Sequence, residues 1–195
     1  MNTMKSFSKL CSIAFVLVAL VAFGAPHVSA LEVGSPAPRF LSIDQNGELW
    51  NIEEHLGEKN IVFYFYPAAM TGGCTKQACA YRDNLETLAS KDTIVVGVSG
   101  DAPAGLKVFE QSHDLNFTLL ADFDGKIAKL FDVPLRDGGV IERLFNDATI
   151  ELKRGVTSSR WTFVVGKNQE IVYVDQQVQA AQDSAAVLEF LGTLD

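Results

Sequence analysis

Two of the three cysteines in the sequence stand five positions apart and could carry out nucleophilic chemistry. Cys74 follows a run of β-branched and aromatic residues that ends at Pro67, and a glycine-containing loop separates the two. A helix is predicted to begin near Cys74, so its sulfur lies in the first turn, where unpaired backbone N–H groups and the helix dipole favour negative charge. Both effects stabilise a thiolate over a thiol. Thr71, three residues earlier, is expected to hydrogen-bond the thiolate or an oxygen of a bound substrate. Cys74 is therefore a candidate nucleophile.

The spacing of Cys79 from Cys74 predicts a conditional disulfide. Residues five apart on an intact α-helix have Cα atoms about 8–9 Å apart, whereas a disulfide requires about 4.4–6.8 Å. A bond between the two sulfurs therefore requires that the start of the helix unwinds. A permanent structural disulfide is the alternative, but it would rarely be placed at this spacing. His55 and His113 have no ligand spacing to the cysteines, so the sequence predicts no metal site and no cofactor.

Alternating strand and helix patterns in the rest of the chain must position these cysteines. Predicted strands cover residues 40–43, 48–52, 60–66, 93–99, 117–120, 161–165 and 170–175, and predicted helices cover residues 74–90, 103–113, 125–131 and 183–191. This order predicts an α/β fold, a thioredoxin-like three-layer α/β/α sandwich with a central mixed β-sheet. Residues 135–159 are the least periodic and are predicted to form a surface excursion, with residues 150–152 as a candidate extra strand.

The first 30 residues have the pattern of a secretory signal peptide. Lys5 and Lys9 precede an unbroken apolar run over residues 13–23, and small residues lead up to Ala30. Cleavage is expected after Ala30, which leaves residues 31–195 as one domain. A retained N-terminal anchor is the alternative. The sequence thus predicts an exported protein, periplasmic if the source is a Gram-negative bacterium, in a compartment where disulfides can form.

The composition is that of a globular protein with an acidic surface. The chain has 195 residues, of which 48% are hydrophobic, and its net charge is −8. This apolar content is high enough to bury a core, which disfavours disorder. The negative charge argues against nucleic acid or an anionic membrane as a partner, since both are bound by basic surfaces.

The segment around Cys74 resembles the peroxiredoxins, which are thiol-dependent peroxidases with a thioredoxin-like fold. Their signature Pro-x-x-x-Thr-x-x-Cys is matched by Pro67, Thr71 and Cys74. The longer string Phe-Tyr-Pro-Ala-Ala-Met-Thr-Gly-Gly-Cys-Thr-Lys-Gln-Ala-Cys-Ala-Tyr-Arg-Asp is similar to the bacterioferritin comigratory protein (PrxQ) branch. That branch carries a second cysteine five residues after the first, as Cys79 does here.

The resemblance implies a role for each candidate residue. Cys74 would be the peroxidatic cysteine and Cys79 the resolving cysteine of an intramolecular disulfide. Arg160 matches the arginine of the family's active site and would stabilise the thiolate and the charge that develops on the peroxide oxygen. Pro67 would pack over the pocket and shield the sulfur from water.

The same resemblance implies substrates and partners. The substrate would be hydrogen peroxide or an alkyl hydroperoxide, and a thioredoxin-like dithiol protein would restore the thiols. A monomer is expected, because an intramolecular disulfide needs no second subunit. Gly72 replaces a proline that is frequent in this branch, and the export signal is atypical for a mainly intracellular branch.

A thioredoxin-like thiol–disulfide oxidoreductase or an inactive binding module on the same fold are the alternative hypotheses. An oxidoreductase of that type would carry Cys-x-x-Cys at the start of the helix, whereas this chain has Cys-x-x-x-x-Cys. An inactive module would not need Thr71, Cys74 and Arg160 together. The sequence therefore favours a peroxidase.

Overall fold

The computed structural model describes Met1 and residues 31–194, so the predicted signal peptide lies, apart from Met1, outside the described residues. The strands are β1 (Leu41–Asp44), β2 (Leu49–Asn51), β3 (Asn60–Phe65), β4 (Thr93–Ser99), β5 (Thr118–Ala121), β6 (Leu135–Phe145), β7 (Ala148–Ser158), β8 (Trp161–Val165) and β9 (Ile171–Asp175). The helices are α1 (Gly72–Asp83), α2 (Leu85–Ser90), α3 (Pro103–His113), α4 (Lys126–Leu130) and α5 (Asp183–Leu191), and a short 3-10 helix covers Ile52–Glu54. Among the described residues, no helix is long and apolar enough to cross a membrane.

Seven strands form one mixed sheet in the order β2-β1-β5-β4-β3-β8-β9. The three central strands β3, β4 and β5 run parallel to one another, whereas β1 and β8 pair antiparallel at either side of them. Strand β9 extends the sheet beyond β8, also antiparallel. The predicted α/β fold with a central mixed sheet is confirmed.

Helices cover both faces of this sheet, because β3 is apolar on both. Its side chains alternate, so Val62 and Tyr64 enter one apolar cluster, whereas Ile61, Phe63 and Phe65 enter another. The first cluster includes buried residues of α1, α3 and α5, and the second includes buried residues of α4. Burial of each such side chain contributes about 1.5–3 kcal/mol relative to exposure. The result is the predicted three-layer arrangement, with Cys74 in the first cluster.

Residues 135–158 form a surface excursion, as predicted, but it is a long antiparallel hairpin, and the candidate strand at residues 150–152 is part of the longer β7. Strands β6 and β7 pair from Leu135 with Ser158 to Phe145 with Ala148. Their turn has positive φ angles at Asn146 (50°) and Asp147 (63°), as a type I′ turn requires. Most of the ribbon is exposed or half-buried, so its strands lack the strict apolar alternation that identifies a half-buried strand.

The predicted helix over residues 74–90 is divided at Asn84 into α1 and α2. The Asn84 side chain donates to the carbonyl of Ala80 and to the hydroxyl of Ser184, both at 3.0 Å. The asparagine thus ends α1 and links it to α5.

Candidate active site

Cys74 is the third residue of α1 and is almost completely buried, with 2% of its surface exposed. The first helical hydrogen bond of α1 runs from the N–H of Thr75 to the carbonyl of Thr71 at 2.8 Å. The N–H groups of the residues before Thr75 therefore have no partner inside the helix. The sulfur lies where the helix dipole favours an anion, as the sequence predicted.

Arg160 lies beside this sulfur. It follows β7 and precedes β8, and its Nη2 donates to Cys74 Sγ at 3.3 Å. Its Nη1 donates to Oε1 of Gln77. The structure therefore brings together Cys74 and Arg160, which stand 86 residues apart in the sequence. A guanidinium in this position can stabilise both a thiolate and negative charge on an attacked oxygen.

Thr71 is the residue before α1, and its hydroxyl donates to a backbone carbonyl and not to the sulfur. It donates to the carbonyl of Ala68 at 2.8 Å, so its proton is not directed at the sulfur. The hydroxyl oxygen keeps lone pairs that can accept a hydrogen bond. Thr71 thus keeps acceptor capacity at the start of α1. Pro67 is half-buried just beyond β3, at the start of the same loop.

A buried carboxylate holds this loop in place. Asp101 Oδ2 accepts the N–H of Ala69 at 2.8 Å and the hydroxyl of Ser99 at 2.9 Å. Burial raises the pKa of the Asp101 carboxyl. Arg143 of β6 donates from Nε to the carbonyl of Met70 at 2.9 Å, where the Met70 backbone has a φ of 59°. The loop before Cys74 is therefore held from β4 and from the hairpin.

Cys79 lies on the same intact helix and is half-buried, and both cysteines are free thiols. Five residues of α-helix place the two Cα atoms about 8–9 Å apart. This distance exceeds the reach of a disulfide. A Cys74–Cys79 bond therefore requires that part of α1 unwinds.

Two polar residues that the sequence did not single out complete the site. Gln77 is fully buried on α1, three residues after Cys74, and its Nε2 donates to Asp183 Oδ2 at 2.6 Å. Asp183 Oδ2 also accepts the hydroxyls of Tyr81 and Thr162, each at 2.8 Å. Burial raises the pKa of Asp183 and that of Tyr81. A polar side chain on the helix face shared with Cys74 was the signal for Gln77, whereas Asp183 had no local signal.

His55 and His113 stand apart from this arrangement. The His55 ring stacks on Trp50 with centroids 5.1 Å apart, and His113, at the end of α3, contacts Phe109 edge-on. Within residues 31–194 no group of three or more His, Cys, Asp or Glu side chains could hold a metal ion.

Comparison with known proteins gives the family. The AhpC/TSA family matches residues 33–174. Peroxiredoxin Q of Gentiana triflora, named as chloroplastic, is 32% identical over 197 aligned positions, which cover 96% of this chain and 83% of that protein. Peroxiredoxin Bcp of Escherichia coli is 43% identical over 106 residues, which cover 54% of this chain and 67% of that protein.

Solved structures agree with this result. The crystal structure of peroxidoxin BcpB from Mycobacterium tuberculosis superposes with a TM-score of 0.70 at 26% identity, over 85% of this chain and 99% of that one. The buried cysteine at the start of α1 thus lies in a fold shared with peroxiredoxins. The chain belongs to the AhpC/TSA family and is a thiol peroxidase similar to peroxiredoxin Q and Bcp.

Proposed function

We propose that the protein reduces hydrogen peroxide or organic hydroperoxides by a two-cysteine cycle. The Cys74 thiolate attacks one peroxide oxygen, the O–O bond breaks, and the other oxygen leaves and takes a proton to form water or an alcohol. Sulfur loses two electrons and becomes a sulfenic acid. The observation that carries this proposal is the Arg160 Nη2 atom 3.3 Å from the buried Cys74 sulfur, since this cation can stabilise both the attacking thiolate and the leaving oxygen.

The second half of the proposed cycle uses Cys79. Its thiolate attacks the sulfenic sulfur, the S–O bond breaks, and the oxygen leaves as water, which gives a Cys74–Cys79 disulfide. Because both residues lie on the intact helix α1, α1 must unwind between the two steps. A thioredoxin-like dithiol protein then reduces the disulfide by exchange and is itself oxidised. No second subunit supplies a cysteine, so a monomer suffices.

Oxidation of the reduced protein by hydrogen peroxide, followed by stopped flow and intact mass, tests both steps. We expect fast oxidation and a product lighter by the mass of two hydrogens. Cys74→Ser should abolish turnover, whereas Cys79→Ser should reduce one equivalent of peroxide and then stall with a thioredoxin-like dithiol protein as reductant. Oxidation at the rate of an ordinary free thiol would contradict the proposal and favour a binding module, and normal cycling of Cys79→Ser would assign the resolving role elsewhere.

We propose further that the protein is exported and begins at Leu31. The backbone nitrogen of Leu31 lies 3.0 Å from Asp132 Oδ2, so a free amino group created by cleavage after Ala30 would face a carboxylate. Several plant relatives are named as chloroplastic, but residues 1–30 here contain no arginine, whereas transit peptides are rich in it. N-terminal sequencing of the protein from its source cells and periplasmic fractionation test this. An intact N-terminus in the cytosolic fraction would contradict it.

A further inference from the structure

Asp183 accepts three hydrogen bonds on a single carboxyl oxygen. It is the first residue of α5 and only 1% exposed, and its Oδ2 accepts from Gln77 (2.6 Å), Tyr81 (2.8 Å) and Thr162 (2.8 Å). Two of these donors belong to α1 and the third to β8. The other carboxyl oxygen, Oδ1, is buried without a partner. A buried carboxyl oxygen without a hydrogen-bond partner lowers the free energy of unfolding. This cost points to a role for Asp183 other than stability.

The carboxylate determines which way the Gln77 amide faces. Asp183 Oδ2 accepts all three of its hydrogen bonds, and a guanidinium only donates hydrogen bonds. Gln77 lies between the two, so its amino group must face Asp183 and its carbonyl oxygen must face Arg160. A flipped amide would place its oxygen against the Asp183 carboxyl oxygen and its amino group against the donors of the Arg160 guanidinium.

The orientation of the Gln77 amide affects Cys74 through Arg160. With Nη1 bound to Gln77 Oε1, the planar guanidinium presents its other nitrogen, Nη2, to Cys74 Sγ at 3.3 Å. Four side chains thus form one chain of polar contacts from the reactive sulfur to the start of α5. Because the guanidinium is a rigid fork, fixing one nitrogen constrains the other.

We propose that Asp183 is a positioning residue for Cys74, acting through Gln77 and Arg160, and that it also latches α1 in its helical form. The proposal rests on the proposed peroxidase function. Gln77 lies between Cys74 and Cys79 in the sequence, so the segment that must unwind for the disulfide carries one of the contacts to Asp183. Asp183 therefore favours the state that attacks peroxide and opposes the state that forms the disulfide.

Asp183→Asn tests the proposal with a side chain of nearly the same shape. The asparagine is neutral and its amide can donate as well as accept, so the acceptor that holds the Gln77 amino group is weakened. We expect oxidation of Cys74 to slow by about tenfold, as when one donor at a charged reaction centre is misplaced. We also expect the pH profile of the oxidation rate to change, and disulfide formation after oxidation to become severalfold faster.

Ser184→Ala is the matched control. Ser184 is the next residue of α5, equally buried at 1% exposure, and accepts from Asn84 at 3.0 Å. It joins α5 to the end of α1 without a path to Arg160. The proposal predicts a wild-type rate and a wild-type pH profile of peroxide oxidation in this variant. Equal slowing in both variants would indicate general loosening of α5 and would overturn the proposal.

The other possible outcomes distinguish a failure of this inference from a failure of the proposed function. Fast oxidation of the wild-type protein, together with an unchanged rate and pH profile of oxidation in Asp183→Asn, would overturn this inference alone. Slow oxidation of the wild-type protein would overturn the proposed function itself. If Asp183→Asn does not fold, Gln77→Leu breaks the same path at its next member. Slower oxidation with a changed pH profile would then support the proposal, and wild-type values would overturn it.

Discussion

At the scale of single residues, the approach of Arg160 to the sulfur depends on the absence of a side chain at position 73. A Cβ atom added to Gly73 would lie 3.3 Å from Arg160 Nη2, whereas one added to Gly72 would meet nothing within 4 Å. Both glycines lie exposed in the first turn of α1. The two positions therefore separate an effect on the arginine from an effect on the helix.

Gly73→Ala is expected to slow the oxidation of Cys74 severalfold relative to Gly72→Ala, because its methyl group displaces Nη2 by a few tenths of an ångström. Each alanine also favours the helical state by up to about 0.5–1 kcal/mol, so this contribution cancels in the comparison. Stopped-flow oxidation of both variants by hydrogen peroxide checks the prediction. Equal rates in the two variants would show that the guanidinium accommodates the methyl group without cost to the reaction.

At the scale of elements, α1 is held at several points along its length. Gln77 and Tyr81 bind Asp183, and Arg82 Nη1 donates to the carbonyl of His113 at 2.6 Å at the end of α3. Unwinding must break the contacts nearest the cysteines. The helix is thus both the support of the reactive thiol and the element that the resolving step must open.

Formation of the disulfide is expected to increase amide exchange over residues 74–82, because a helical spacing of five residues cannot be bridged. Hydrogen–deuterium exchange of the reduced and peroxide-treated protein measures this. Cys79→Ser treated in the same way should keep its protection, and α3 (Pro103–His113) serves as an internal reference. Unchanged exchange in a protein whose mass shows the disulfide would refute the unwinding argument.

The β6–β7 hairpin is the second element that reaches the site. It is attached to the end of β4 by hydrogen bonds from Gly155 N to Gly100 O at 3.0 Å and from Ala102 N to Lys153 O at 2.9 Å. Nearer the turn of the hairpin, Arg143 donates to the carbonyl of Met70, in the loop that precedes Cys74.

Arg143→Ala is expected to lower the rate of Cys74 oxidation severalfold while the protein stays folded, because the strained Met70 backbone loses the donor that holds it. Arg136→Ala is the control, since Arg136 is exposed on the same strand. Oxidation rates of both variants, with circular dichroism to check folding, test this. Equal rates in both variants would mean that the loop keeps its shape without the hairpin.

At the scale of the whole molecule, buried aspartates join distant segments to one another. Asp101 holds the loop before α1 and Asp183 holds α1 itself, whereas Asp122 accepts the N–H groups of Ile127 and Ala128 at 2.8 Å and caps α4. Burial raises the pKa of all three carboxyls. The folded state therefore binds protons at these positions more tightly than the unfolded chain does.

The sign of the resulting pH dependence follows for Asp122. Because its folded pKa is raised, its contribution to stability is fully present below the unfolded value of about 3.9 and is lost as pH rises through the folded pKa. The free energy of unfolding of the wild type relative to Asp122→Asn should therefore fall as pH rises from about 4 toward neutrality. Urea unfolding of both proteins over this range measures the difference.

The free energy of unfolding of the wild type relative to Asp124→Asn should depend on pH in the opposite direction and rise as pH rises. Asp124 is exposed, and its hydrogen bond with Lys126 lowers its pKa. Its small contribution to stability is present above the unfolded pKa and is lost as pH falls. For Asp122, a free energy of unfolding of the wild type relative to Asp122→Asn that rises with pH would contradict burial as the dominant cause of the raised Asp122 pKa.

Most of the sheet and helices were predictable from the sequence because their signals are local. The run in β3 is apolar on both faces, and the turn at residues 44–47 joins β1 and β2 as expected. The long hairpin was not recognised, although Asn146 and Asp147 suit its turn. Its strands are mostly solvated and interrupted by glycines, so no apolar periodicity marks them.

The sequence by itself determined the family, the mixed α/β fold, and the spacing that keeps Cys74 and Cys79 apart on a helix, because signature residues, apolar periodicity and helical rise are all local properties. The resemblance also implied that Arg160 stabilises the thiolate, but only the tertiary structure decided how this arginine is held against the sulfur. Arg160 is 86 residues from Cys74, and Asp183 is 106 residues from Gln77. Their contacts depend on how β8 and α5 pack against α1, and no local pattern encodes the orientation of a buried amide between a carboxylate and a guanidinium.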